Sequence, residues 1–207
     1  MTRFGDSSVT QFLDALAASS PTPGGGSASA IAAAMGAALL MMVAGLARTR
    51  TNTDEGKAAL IEARTALGPL RDRLAQLADA DADAFDRVMA AYRLPKATDE
   101  EKALRKQAVQ EALTVASTTP LEALRATSAV VSLARPVAAH GNRSAVSDVR
   151  VALELLEAAA AGAAANVEIN IVSLDDEAFR KATAGDIVDL TNTVTEHAAA
   201  ARAALAP

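Results

Sequence analysis

An aspartate stands where the pattern calls for an apolar residue. Leu67, Leu70, Leu74, Leu77, Asp81, Ala84 and Val88 fall at alternating steps of three and four, the spacing of a helical seam that faces a core. A carboxylate in such a slot is costly unless it is paired or hydrogen-bonded. Desolvation also lifts its pKa toward the range useful for acid–base work. Asp79, Asp83 and Asp86 fall off the seam and read as solvated charge. A second reading stays open, in which the seam ends at Leu77 and Asp81 faces water.

Other residues carry chemistry of their own. Gly24-Gly25-Gly26-Ser27, after Pro21-Thr22-Pro23, precedes a long run of small apolar residues. That makes a bare backbone turn at the positive end of a helix, suited to an electron-rich ligand group. Ser27 is read as the N-cap. No Gly-Lys-Ser/Thr follows, so the turn is not a P-loop, and a plain close-packing turn is the alternative. Lys96 follows Leu94-Pro95 at a helix exit, held to orient a carboxylate or move a proton, or simply solvated there. Asn142 and Asp148 belong to the polar stretch Gly141-Asn-Arg-Ser144 and Ser147-Asp148 at another helix start. Asn166 and Asn170 share one helix face, as residues four apart do; they suit the edge of a heterocycle or a bond between helices. Arg48 and Arg50 end the apolar helix and offer a seat for an anionic tail, or a solvated exit. His140 and His197 lie far apart, so a histidine metal site is not expected.

The elements that must position these groups are helices throughout. Val9, Phe12, Leu13 and Leu16 mark a short amphipathic helix. A second helix is expected over Ser27–Ala47 and a third from Thr53-Asp54 to Leu94, kinked at Gly68-Pro69 and stopped by Pro95. Thr98-Asp-Glu-Glu101 reads as a capping box opening a fourth. Thr119-Pro-Leu-Glu122 reads as a second box opening a fifth, which weakens at Pro136. Ser144 or Ser147 caps the next, to Val172. The last helices cover Asp175–Leu205, with a break at Gly185. Val167–Val172 is the one tempting strand. The expectation is an all-α, single-domain helical bundle, residues 1–207, with long central helices.

Composition agrees. Aromatic residues make up 2% against 51% hydrophobic, so the core is Ala, Leu, Val and Ile, which lets helices approach closely. The absence of cysteine removes disulfides and thiolate sites and fits a reducing compartment. A formal charge of −5 with no basic run argues against nucleic acid. No charged residue occurs from Ala15 to Ala47, long enough for a bilayer span; its Ala, Gly and Ser content favours a helix buried inside protein. No signal peptide is read at the start.

Taken together, Thr22-Pro-Gly-Gly-Gly-Ser-Ala28, Asp81-Ala-Asp-Ala-Phe85, Leu94-Pro-Lys96 with Thr98-Asp-Glu-Glu-Lys102, Ser147-Asp148, and Gly162 through Asn166-Val-Glu-Ile-Asn170 resemble the formimidoyltetrahydrofolate cyclodeaminase / methenyltetrahydrofolate cyclohydrolase family. The segments occur in the family's order and span most of the chain. The resemblance implies an all-helical cytoplasmic homodimer. It implies a folate bound near the subunit contact, with no metal and no cofactor beyond the tetrahydrofolate substrate. The implied reaction is hydrolysis of 5,10-methenyltetrahydrofolate to 10-formyltetrahydrofolate. The alternative is closure of 5-formiminotetrahydrofolate with release of ammonia. Asp81, Lys96 and Asp148 are the implied catalytic residues; Gly24, Gly25, Gly26, Ser27, Arg48, Asn142, Asn166 and Asn170 would hold substrate. No formiminotransferase domain is recognisable, which favours the hydrolase. A non-catalytic helical interaction protein is the remaining alternative.

Overall fold

In the computed structural model, which describes residues 3–4 and 7–205, the chain forms seven α-helices. They are α1 (Val9–Ala17), α2 (Gly25–Ala44), α3 (Asp54–Tyr92), α4 (Asp99–Ser132), α5 (Ala134–His140), α6 (Val146–Ile171) and α7 (Glu177–Ala204). No strand occurs among the described residues, and Val167–Val172 falls in α6 and its end.

The apolar α2 is the axis of the bundle. It packs on α3 and α6, while α4 lies against α3 and α6 and α7 closes over α4, α5 and α6. Small residues set these distances: a side chain at Gly36 would run into Leu156 and the Ala152 carbonyl of α6. Ala33, Ala37 and Leu40 of α2 meet Leu67 and Leu74 of α3 and Leu153 and Leu156 of α6 in one buried core. By length and composition α2 is able to cross a membrane, yet half of it is packed inside the bundle.

Capping chemistry is respected at α4, where Thr98 and Glu101 satisfy each other's backbone N–H, and at α1, where Ser8 and Gln11 do so. α3 starts where expected, with the Thr53 hydroxyl accepting from the Gly56 N–H at 3.1 Å, while other boundaries shift. α2 starts at Gly25, with Gly24 at the cap position and no side chain capping it. Ser27 is therefore inside the helix and fully buried. It ends at Ala44, three residues early. Thr119-Pro120 opens nothing: α4 is continuous. Ser117, Thr118 and Thr119 donate their hydroxyls back to the carbonyls of Leu113, Thr114 and Val115, so Thr119 is bound as a mid-helix threonine and not as a cap. Gly68-Pro69 likewise lies within one continuous α3. Pro136 sits near the start of α5, where a missing N–H is harmless. α7 runs unbroken through Gly185. A 3₁₀ turn at Arg143–Ala145, capped by Asn142, precedes α6; α6 itself has Ala145 at its cap position and no side-chain cap, so neither Ser144 nor Ser147 caps it.

Candidate functional site

The aspartate seam is real. Leu67, Leu74, Leu77 and Ala84 are buried, and Asp81, half-buried, turns toward the first turn of α2. The Ser27 hydroxyl reaches the Ala78 carbonyl oxygen at 2.9 Å and Asp81 Oδ2 at 3.1 Å. Burial pushes the Asp81 carboxyl above the ordinary aspartate range; hydrogen bonds from the Ser27 hydroxyl and backbone N–H pull it partly back. The positive end of α2 thus has an internal anion. Its third residue, expected to cap the helix, instead holds the carboxylate.

Gly26 makes this possible. A Cβ there would overlap the Asp81 carboxyl group, so only glycine lets the carboxylate sit against the helix start. The preceding Pro21-Thr22-Pro23 segment, with a cis Thr22–Pro23 peptide, folds over the same place. Asp79, read as solvated, is part-buried and accepts from the Phe4 N–H at 2.7 Å.

Asp81 borders a cleft of about 310 Å³. Gly24, Gly25 and Gly26 form one side, Phe85 and Val88 of α3 another, and Asn166, Ile169 and Asn170 of α6 a third. Both asparagines are anchored by one amide donor. Asn166 Nδ2 donates to the Gly162 carbonyl at 2.7 Å, and Asn170 Nδ2 donates to the Ala116 carbonyl of α4 at 2.7 Å. The second bond has a cause in the sequence. Ala116 lies four residues before Pro120, which has no N–H to donate, so the carbonyl that a helix normally uses is free for Asn170. The bond between helices expected as one reading of these asparagines is thus found at Asn170, while its partner Ala116 was not legible, because Thr119-Pro120 resembles a helix start.

The cleft therefore gathers Gly24, Gly25, Gly26, Asp81, Asn166 and Asn170, with Ser27 beneath. It does not gather the others. Lys96 is exposed and lines a separate groove with Tyr92, Lys102 and Arg105. Arg48 is exposed beyond the far end of α2, about 30 Å from Gly25 at 1.5 Å per residue. Asp148 lies in the first turn of α6, about 27 Å along that helix from Asn166. Asn142 accepts from Ser144 N–H at 2.8 Å. His140 and Thr51 meet at 3.3 Å, away from the cleft. Among the described residues no group of three or more potential ligands is placed to hold a metal ion.

A small-residue helical bundle with one desolvated carboxylate at a glycine-walled cleft is an arrangement able to hold a small molecule beside an acid. The family model for formiminotransferase-cyclodeaminase matches residues 8–188, and the chain belongs to that family. A methenyltetrahydrofolate cyclohydrolase of Methylorubrum extorquens is 45% identical over 175 residues, 84% of each chain. A formimidoyltransferase-cyclodeaminase of Rattus norvegicus is 34% identical over 94% of this chain, which spans 36% of that longer relative. The crystal structure of formiminotetrahydrofolate cyclodeaminase from Thermotoga maritima has a TM-score of 0.85 at 28% identity and covers 96% of both chains.

Proposed function

We propose that the chain hydrolyses 5,10-methenyltetrahydrofolate to 10-formyltetrahydrofolate, with the pterin and its one-carbon bridge in the Asp81 cleft. The observation that carries this reading is the desolvated Asp81 carboxylate held by Ser27 beside the Gly24–Gly26 turn. The methenyl carbon, between two nitrogens and positively charged, is already electrophilic. It needs a nearby anion and a base for water. Ionised Asp81 supplies both. Water adds to the carbon as Asp81 takes one of its protons, giving a neutral tetrahedral carbinol. Asp81 then returns that proton to N5 as the carbon–N5 bond breaks. The remaining hydroxyl proton leaves to solvent, and the formyl group stays on N10. Net, one water is consumed and one proton released.

The uncommitted amide groups of Asn166 and Asn170 meet the polar edge of the pterin, and Phe85, Val88 and Ile169 its faces. Lys96 and Asp148, away from this cleft within one chain, carry no step in this scheme. The chain works as a single cytoplasmic domain and as a homodimer. The chemistry calls for no cofactor besides the folate.

The relatives named as cyclodeaminases favour a second reading. There N10 attacks the formimino carbon, its proton passing by way of Asp81 to the former imino nitrogen to give a similar tetrahedral carbon; a second proton, taken up from solvent, lets that nitrogen leave as ammonia and yields the methenyl cation. Absorbance of methenyltetrahydrofolate separates the two. Loss above the uncatalysed rate establishes the hydrolase; appearance from formiminotetrahydrofolate with ammonia release establishes the cyclodeaminase. Neither change, with no folate binding, sinks both and leaves the interaction protein.

A further inference from the structure

Where α2 crosses α6, a serine hydroxyl fills the space of a missing side chain. A Cβ on Gly162 would overlap Ser29 Oγ and press on Ser29 Cβ at 3.3 Å. Both residues stand behind the Asp81 cleft, outside the residues that line it. We infer that Ser29 and Gly162 are positioning residues, whose contact sets the separation of the glycine turn from Asn166 and so the grip on the pterin edge; this rests on the folate reading above.

The same hydroxyl has a second contact. Ser29 Oγ donates to the Gly25 carbonyl at 2.7 Å, which fixes its direction and ties it to a wall of the cleft. On the other side Gly162 holds Asn166, whose Nδ2 donates to the Gly162 carbonyl at 2.7 Å. Gly25 and Asn166 then face each other: a Cβ on Gly25 would stand 3.6 Å from Asn166 Nδ2, an ordinary contact distance. The four residues close a ring, from Gly25 to Ser29, to Gly162, to Asn166 and back to Gly25. Two members line the cleft and two support them from behind. Asn166 lies one helical turn from Gly162, so a shift where Ser29 meets Gly162 must reappear between Gly25 and Asn166.

The first turn of α2 is thus divided between its two neighbours. Ser27 turns to α3, where its hydroxyl meets Asp81. Ser29, two residues on and well around the helix, turns to α6. The acid rides on α3 with Ser27, so the Ser29–Gly162 contact acts on binding and leaves the reacting carboxylate where it is. The same two helices also meet about three turns further along α2, where a Cβ on Gly36 would run into Leu156 and the Ala152 carbonyl. That crossing packs α2 on α6 without touching the cleft. It separates a general loosening of the helix pair from an effect on the ring.

The test measures KM and kcat for methenyltetrahydrofolate. G162A should raise KM about fivefold or more while kcat changes less than about twofold, the mark of lost binding rather than lost chemistry. The acid limb of its pH profile should stay in place. S29A should raise KM about two- to threefold, because the tether to Gly25 is lost and no clash is made. S29A/G162A removes the hydroxyl that the new methyl meets, so its KM should fall below that of G162A alone, whereas independent residues would multiply their effects. G36A should keep the wild-type KM. A G162A KM close to wild type, a double variant at or above G162A, or an equal KM rise in G36A, with turnover intact, overturns the positioning role and leaves the proposed reaction standing. A displaced pH limb, or kcat falling in step with the rise in KM, overturns it too, since the effect would then run through Asp81. If G162A or G36A fails to fold, as judged by circular dichroism, S29A decides: a raised KM at constant kcat upholds the role and an unchanged KM overturns it. No turnover and no calorimetric binding of the folate by the wild-type chain overturns the reaction, and the positioning role with it.

Discussion

Each end of α2 lies against a glycine-containing turn, Gly24–Gly26 at its start and Gly141 beside Val43 near its end, and the two turns do opposite things. At its start, a proline- and glycine-rich turn meets a helix and an aspartate; at its far end, Gly141-Asn142 meets α6 and Asp148. In the first, the polar groups turn inward: Ser27 is fully buried, its hydroxyl on Asp81, with Asn166 and Asn170 facing the same cleft. In the second they serve the fold. Asn142 caps its own 3₁₀ turn, the Arg50 N–H bonds the His140 carbonyl, and Arg50 Nη1 donates to the Ala204 carbonyl at 2.8 Å, tying down the end of α7. A glycine-rich helix start becomes a candidate site when an independent helix delivers a desolvated acid to it. Without that, it is punctuation.

The largest effect should come from the acid itself. Asp81→Asn keeps the shape and the Ser27 contact but removes the base, and kcat should fall about 10²–10⁴-fold. In the wild type kcat/KM should drop as pH falls through a pKa above the ordinary aspartate range, and that limb should vanish in the variant. Stability moves the other way. A carboxyl whose folded pKa is raised contributes stability below its unfolded pKa and loses it as pH rises through the folded value. Asp81→Asn should therefore melt higher than wild type at neutral pH and alike below the aspartate range. A lower melting temperature at pH 7 would show Asp81 to be a stabilising anion and break the contrast.

Gly26→Ala comes next. The added methyl must displace the Asp81 carboxylate, so activity should fall at least tenfold, with overpacking costing about 1–3 kcal/mol in denaturant melts. A fully active variant would mean that the close approach at α2 is incidental. Asp148→Asn probes the other end, where kcat should change less than twofold. A hundredfold loss there would instead recruit the far end of a second copy into the cleft. The smallest expected change is Gly185→Ala. A Cβ at Gly185 meets nothing within 4 Å inside a continuous helix, so the variant should gain about 0.5–1 kcal/mol with unaltered kinetics.

Much of this was legible in one sequence, for a physical reason. Periodicity reports burial, so the long helices and the acid interrupting the Leu67–Val88 seam could be read without coordinates. Asn166 and Asn170 could be placed on one face because helical spacing fixes that. Partnership between elements could not be read. Nothing local says that Ser27 serves Asp81 rather than its own helix end, or that Lys96 opens onto a groove of its own. Proline was the other blind spot. Pro69 and Pro120 each sit inside a helix because tertiary packing outweighs a local cost of about 3 kcal/mol.

That tolerance at residue 120 has a consequence for anyone wishing to improve the molecule. Replacing an internal proline is an obvious route to a sturdier helix, and at this position the mended helix would reclaim the Ala116 oxygen for a new N–H at 120. Asn170 would then share or lose its tether, and its amide would be free to swing. A sturdier chain with a looser grip on its ligand is the expected trade, so a flaw in α4 is part of what keeps the cleft in order.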